Sequence, residues 1–444
     1  MVADVYSGAV HCVDRAAYDL LDYVDETTDA LPAAAISALA GIHGEDTLNE
    51  AFSDLMELKR KNMLFSKDIY AEIAKNWDKQ SVVKALCLHI THDCNLRCAY
   101  CFADAGQYGG ARKMMDEETG KKAIDFVIAH SGNRKNIEID YFGGEPLMNF
   151  DVVKAITEYA KAQGELHGKH FRFTITTNGM LLDDEISDYI NENMGNVVLS
   201  IDGRKQVNDK MRQTPNGKGS YDYILPKFQK IADARNQDNY YVRGTFTANN
   251  LDFSKDVLHL ADLGFLQTSV EPVVLPDESE YAIKEAHLPV LFGEYEALAK
   301  EYVRRKKAGK GFNFFHFMMD FDQGPCAYKR LSGCGCGHEY VAVTPDGDIY
   351  PCHQFASDPA FLMGNVHTGA FDKKIRDKFM KSNVYTKQDC KDCWAKFYCS
   401  GGCLANAQHF NGDIDKPHKI SCELERKRVE CAMYIAAQLA DNRQ

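Results

Sequence analysis

Hydrophobic positions recur along this chain with two different periods, and the change of period marks three zones. In the first zone, Val5-Tyr6 and Ala9–Val13 flank the turn residues Ser7-Gly8, which predicts short strands. Arg15–Tyr23 with Val24 then sets Ala17, Leu20 and Leu21 at helical spacing, and Asp46–Lys61 does the same with Leu48, Phe52, Leu55, Met56 and Leu58. Met63-Leu64-Phe65 is expected to close the unit as a strand. These elements predict a small winged-helix-like fold over residues 1–75; a capping unit with no binding role is the plainer alternative.

The second zone alternates strand and helix signals. Expected strands are Ala85–Ile90, Ile137–Phe142, Phe171–Thr176, Val197–Ile201, Tyr241–Thr247 and Ser269–Leu275. Between them Asp116–His130, Val152–His167 and Asp183–Asn193 carry the helical period. Near-continuous apolar runs such as Val-Val-Leu-Ser-Ile belong to strands covered on both faces, so the fold class is α/β, a parallel sheet under helices. Six units over residues 84–310 predict a partial (β/α)6 barrel, with function at the carboxyl ends of its strands. No solenoid repeat or Gly/Ser-rich linker interrupts the chain.

Composition narrows the picture. The 444 residues are 45% hydrophobic and 26% charged, enough to build cores for roughly three domains. A net charge of −12 argues against broad nucleic-acid binding, which requires a basic face. No apolar run reaches the ~18 residues of a membrane span, and no basic leader opens the chain, so a cytoplasmic protein without a membrane partner is expected. In that reducing compartment the 15 cysteines are expected to be ligands or packing residues rather than disulfides.

Their spacing separates ligands from packing. Cys94, Cys98 and Cys101 fall on one loop after the first long strand, as Cys-x3-Cys-x2-Cys. Three thiolates can hold three corners of a cubic iron–sulfur cluster and leave the fourth iron open, whereas structural zinc wants four closed ligands. From Cys334 a Gly-rich turn leads to an expected hairpin, Tyr340–Val343 and Ile349-Tyr350 across Pro345-Asp346-Gly347-Asp348, and then to Cys352. Cys390, Cys393, Cys399 and Cys403 follow in close order, and Cys422 after a gap. A zinc ribbon is the alternative for this third zone, residues 320–444, taken alone. Cys12, Cys87 and Cys431 match no motif and are expected to pack.

The three-cysteine loop with Tyr100 and Phe102 resembles the radical S-adenosylmethionine (SAM) superfamily, as do Gly143-Gly144-Glu145-Pro146, Thr177-Asn178 and Ser200-Ile201-Asp202 at later strand ends. The resemblance implies that Gly143, Gly144 and Glu145 meet the amino group of SAM, and that Thr177, Asn178, Ser200 and Asp202 line its ribose and carboxylate. It also implies that Arg212 takes the carboxylate. The third zone resembles the SPASM extension. That resemblance implies two auxiliary clusters, three [4Fe-4S] clusters in all with SAM as cofactor. The outer auxiliary cluster would be held by Cys390, Cys393, Cys399 and Cys422, and the inner one by Cys334, Cys352 and Cys403. Cys326 or Cys336 completes the inner set, or its fourth iron stays open. Relatives commonly show Cys-Gly-x-Gly here with x not Cys, so Cys336 is a departure.

The module order and the stretch GCGCGHEYVAVTPDGDIYPCHQF most resemble the thioether-forming maturases of SCIFF (six-cysteine) peptides. That implies a leader segment gripped by the N-terminal domain, a Cys-rich core as substrate, and an electron donor such as ferredoxin or flavodoxin. Glu271 and Asp202 lie near strand ends, but no catalytic base is assigned. Sulfatase-type formylglycine formation, carbon–carbon crosslinking and a zinc-dependent peptide-binding protein are the competing readings.

Overall fold

In the computed structural model, residues 1–76, 81–321 and 327–440 are described. The N-terminal unit opens with an antiparallel ribbon, β1 (Val2–Ala3) and β2 (Val10–His11); the first strand lies at Val2–Ala3 rather than at the expected Val5-Tyr6, which sit in the turn. Helix Arg15–Leu20 begins where the Asp14 carboxylate accepts the Ala17 N–H at 2.8 Å. Helices Ala33–His43 and Glu45–Arg60 follow, and the three bury Leu20, Leu39, Leu48, Leu55 and Leu64 in a core of their own. The expected strand at Met63–Phe65 does not form. Asn62 and Phe65 adopt φ of +57° and +52°, which breaks an extended run, although Leu64 still turns inward. Helix Ala33–His43 was not expected from the period, because its alanines carry helix propensity without a bulky apolar stripe.

The body contributes β3 (Ala85–Thr91), β4 (Arg97–Cys98), β5 (Asn136–Gly143), β6 (His170–Thr177), β7 (Asn196–Ser200), β8 (Arg212–Gln213), β9 (Tyr240–Phe246), β10 (Gln267–Pro272) and β11 (Asn313–Phe314). Six strands run parallel in the order β10-β9-β7-β6-β5-β3, with β11 outside β10. All six sit within a residue or so of their expected positions, except that β10 ends at Pro272 and Val273–Leu275 leave the sheet. The helices are capped as the sequence implies: Asp116 accepts from Thr119 N–H at 2.7 Å and Asp183 from Ile186 N–H at 2.8 Å. The order is linear, so the sheet stays open.

The C-terminal hairpin extends that sheet. Strand β12 (Tyr340–Val343) joins β3 in parallel and pairs antiparallel with β13 (Asp348–Tyr350), after which β14 (Gly364–Asn365) and β15 (Ala370–Phe371) complete eleven strands. The main core is therefore continuous from Leu86 and Ile139 to Val341 and Ile349. Helix Lys419–Ala440 lies along helix Leu288–Lys307, where Arg428 Nε donates to Tyr295 Oη at 3.0 Å. The N-terminal unit docks on the cysteine-rich module: Phe397 meets Tyr70 at 4.8 Å between ring centroids, and Tyr398 O–H donates to Gly8 O at 3.2 Å. Among the described residues no helix is long and apolar enough to cross a membrane.

Candidate active site and cluster sites

The three-cysteine loop leaves the carboxyl end of β3 and is pinned from both sides. On one side, Gly144 N–H donates to Thr91 O at 2.8 Å and Glu145 N–H to Asp93 O at 2.9 Å. Gly143 has φ of +118°, and a Cβ at Gly144 would collide with the Asp93 carbonyl. These glycines therefore let the strand end lie against the cysteine loop. On the other side, β4 pairs with β8, which sets Cys98 opposite Arg212. Cys94 Sγ accepts Leu96 N–H at 3.4 Å and lies 3.6 Å from Asn178 Nδ2. Burial pushes the Cys94 thiol up to about 12 and that of Cys98 to about 11, so without a cation these thiols stay protonated. Binding metal as thiolates releases those protons.

Two buried carboxylates flank the loop. Glu145 is 1% exposed and accepts Asn178 N–H at 2.7 Å, Thr177 O–H at 2.8 Å and Leu147 N–H at 3.1 Å. Burial pushes its carboxyl up to about 7 against those donors. Asp202 accepts Tyr100 O–H at 2.8 Å and Thr245 N–H at 3.0 Å. Arg212 Nη1 donates to Tyr100 Oη at 2.8 Å and stands 3.9 Å from Asp202, so Tyr100 and Asp202 jointly hold the guanidinium. Arg212 Nε is buried with no hydrogen-bond partner, an orphan that a ligand carboxylate would satisfy. Ser200 stands half-buried at the end of β7. Apart from Ser200, the expected residues gather around one loop, and an orphaned donor beside acceptor-rich carboxylates fits a zwitterionic amino-acid cofactor such as SAM.

Two further cysteine sets form in the C-terminal module. Cys390, Cys393, Cys399 and Cys422 line one cavity together with Lys396 and Arg426. Arg426 hydrogen-bonds the Cys393 sulfur. Cys334, Cys352 and Cys403 form the second set, and each sulfur accepts backbone N–H groups: Cys334 from Cys336, Cys352 from Gln354 and Phe355, Cys403 from Ala405 and Asn406. Such donors suit thiolate, and bonds of this kind tune iron–sulfur centres. Among the described residues no three His, Cys, Asp or Glu side chains converge as closely as a single metal ion needs. Sets made only of cysteine suit an iron–sulfur cluster. Cys326 lies outside the described residues. Cys87 and Cys431 are buried as expected, whereas Cys12 is exposed just past β2.

Between the carboxyl end of β10 and both cysteine sets lies a cleft of about 280 Å³, lined by Glu271, Cys399, Cys403, His418, Glu425 and Arg428 among others. Burial works against the Glu271 carboxylate, but Arg243 at 2.6 Å, His316 and Arg428 hold its carboxyl down to about 2. Sequence reading missed Arg243. It stands at an exposed position of β9, where a lone Arg in the sequence carries no signal of its own. Lys387 was also missed: 2% exposed, it donates to Gly401 O at 2.7 Å between the two auxiliary sets.

Residues 88–287 match the family model described as the radical SAM superfamily, and residues 334–394 match SPASM, an iron–sulfur cluster-binding domain. A cysteine-type anaerobic sulfatase-maturating enzyme of Clostridium novyi is 24% identical over 370 residues, which span 78% of this chain and 96% of that enzyme. The solved structure of anSMEcpe with bound AdoMet aligns with TM-score 0.65 at 17% identity, covering 81% of this chain and all of that one. Streptococcus suis SuiB bound to S-adenosylmethionine aligns with TM-score 0.51 at 15% identity, covering 91% of this chain and 92% of that one. The chain carries a radical SAM domain and a SPASM domain and is a radical SAM enzyme related to sulfatase maturases; its domains imply [4Fe-4S] clusters and SAM as cofactors.

Proposed function

We propose that this radical SAM/SPASM enzyme is a peptide maturase that joins cysteine sulfur to carbon, installing thioether crosslinks in a ribosomally made, cysteine-rich peptide. The observation that carries the reading is the cleft of about 280 Å³ with β10 on one side and sulfurs of both auxiliary sets on the other. A substrate side chain held there faces sulfurs of both auxiliary sets. The N-terminal unit supports the reading as well. It is docked on the cysteine-rich module rather than free, and the sulfatase-maturase alignment leaves about a fifth of this chain unmatched while spanning nearly all of that enzyme. The fold likeness to SuiB, a protein also solved with its precursor peptide SuiA, reaches further along the chain.

In this reading residues 1–75 grip a leader, 84–310 form the radical domain and 320–444 the SPASM domain. When bound, the clusters and SAM supply one-electron chemistry, with ferredoxin or flavodoxin as electron donor. The chain's own residues do the rest. Cys94, Cys98 and Cys101 hold the first cluster, and Arg212, set by Tyr100 and Asp202, takes the SAM carboxylate. Glu145, oriented by Thr177 and Asn178, accepts from the SAM amino group. Gly143 and Gly144 seat the loop, and Ser200 lines the ribose side. Arg243 neutralises Glu271 in the cleft, so that wall accepts a neutral thiol. Each crosslink breaks one C–H and one S–H bond and forms one C–S bond. Bound SAM would supply the acceptor for the hydrogen atom and the auxiliary clusters the acceptor for one electron, while the proton would go to solvent.

The test is mass spectrometry of a cysteine-rich precursor peptide after anaerobic reaction: loss of two hydrogens per crosslink with sulfur retained supports the proposal. Formylglycine formation, favoured by the 96% coverage of the sulfatase-maturating relative, would instead remove the sulfur and proceed without residues 1–75. Carbon–carbon crosslinks would leave every cysteine alkylatable. Iron and sulfide analysis with about twelve irons per chain separates all three from a zinc-binding protein.

A further inference from the structure

The inner cysteine set needs a fourth ligand, and the structure offers one in Cys336. Its side chain is 3% exposed, and its Sγ donates to Pro351 O at 3.4 Å, which places it beside Cys352. The two thiols hydrogen-bond each other, and Cys336 is within electrostatic reach of Cys334 and Cys403. The backbone fixes this arrangement. Gly337 N–H is shared between Pro351 O at 3.0 Å and Tyr340 O at 2.9 Å, which ties the Gly-rich turn to the end of the β12–β13 hairpin. Gly335 and Gly337 take φ of +76° and +78°, and a Cβ at Gly337 would stand 2.7 Å from the Phe379 ring. Glycine at alternate positions lets Cys334 and Cys336, one residue apart, approach the same partner, Cys352.

A buried cysteine is ordinarily a small apolar filler. Cys336 differs because its neighbours are three other sulfurs, each supplied with backbone N–H donors suited to thiolate. We infer that Cys336 is the fourth thiolate of the inner site, so that Cys334, Cys336, Cys352 and Cys403 form a closed four-sulfur set and no iron there is open to a substrate sulfur. This rests on the reading that the module holds a cubic iron–sulfur cluster. It gives a role to the second Cys of Cys-Gly-Cys-Gly, and it makes Cys326 unnecessary. Of the four, only Cys403 borders the cleft, so a substrate thiol there meets a ligated corner. The peptide cysteine must then react as a free thiol, and the inner cluster serves electron traffic alone.

The test uses the full chain with Cys94, Cys98 and Cys101 changed to Ala, reconstituted anaerobically, so that only the auxiliary sites carry iron. Cyanide is the probe, as a small strong ligand for an open iron. The expected result is about eight irons per chain and an electron paramagnetic resonance spectrum of the reduced protein that cyanide does not move. Adding Cys336→Ala makes one of the two signals cyanide-sensitive, and adding Cys326→Ala does not. A cyanide-dependent shift while Cys336 is present overturns the inference, as does one created by Cys326→Ala and not by Cys336→Ala. Should Cys336→Ala fail to fold, Cys336→Ser keeps the volume and offers oxygen; it must change one signal, and two unchanged signals overturn the inference. Failure of the underlying reading looks different: the chain then takes up no iron.

Discussion

Glu145 is the residue at which stability and cofactor binding should pull in opposite directions. Burial raises its carboxyl from 4.5 to about 7, against three donors from Asn178, Thr177 and Leu147. A raised folded-state value means the contribution to stability is full below the unfolded value and is lost as pH rises through the folded one. At 1.36 kcal/mol per unit, holding Glu145 ionised above pH 7 costs the cofactor-free chain about 3 kcal/mol. Glu145→Gln removes that titration. Urea unfolding of the cofactor-free chain should therefore show the native protein losing about 3 kcal/mol relative to the variant between about pH 4.5 and pH 7. The variant also faces the Asn178 or Thr177 donor with an amide N–H, a constant offset that leaves the pH slope intact. In the loaded enzyme the sign reverses. Losing a charge-assisted acceptor should weaken SAM binding by roughly 1.5–3 kcal/mol, about ten- to a hundredfold by calorimetry above pH 7. The native protein's affinity should fall below about pH 7, where the carboxylate protonates, and the variant's should not. A pH-independent stability difference, or a variant that binds SAM as well as the native chain at high pH, refutes the assignment of Glu145 to the amino group.

Cys94→Ala should lower iron by about four per chain and abolish deoxyadenosine formation; a variant that still cleaves SAM contradicts the role of the loop. Tyr100→Phe removes the hydroxyl that links Arg212 to Asp202, so the KM for SAM should rise roughly tenfold at unchanged iron content, and an unchanged KM means the guanidinium is held otherwise. Lys387→Met removes a buried ammonium beside Cys390, Cys399 and Cys403. Auxiliary midpoint potentials in a redox titration should move negative by on the order of 50 mV, and a null shift shows that the charge is not felt there. Phe397→Ala empties a buried site where the N-terminal unit meets the cysteine-rich module. It should cost roughly 3–4 kcal/mol and raise the protease sensitivity of the N-terminal unit while SAM cleavage persists.

What could be read in advance follows from how each feature is encoded. The parallel strands were legible because a strand buried on both faces must be apolar throughout, and Leu86–Ile90 admits little else. The three-cysteine loop was legible because its ligands are local: one turn of chain brings Cys94, Cys98 and Cys101 together. The Tyr100–Asp202–Arg212 chain was legible only as separate residues at strand ends. What joins them is the pairing of β4 with β8, and those two-residue strands have no period to read. Met63–Phe65 failed for the complementary reason. Its composition suits a strand, but no partner edge is there to outweigh the left-handed turn at Asn62 and Phe65. The inner cysteine set shows the limit most sharply. The sequence put Cys334 in the set but left its fourth member open between Cys326, Cys336 and none, because that depends on where the following hairpin returns Pro351 and Cys352. A ligand set assembled from distant segments is specified by tertiary contacts, and in this chain those contacts run through the β3–β12 pairing that joins the cysteine module to the sheet. That pairing carries one core from the sheet into the cysteine module, with β12 beside β3, at whose end the SAM loop begins.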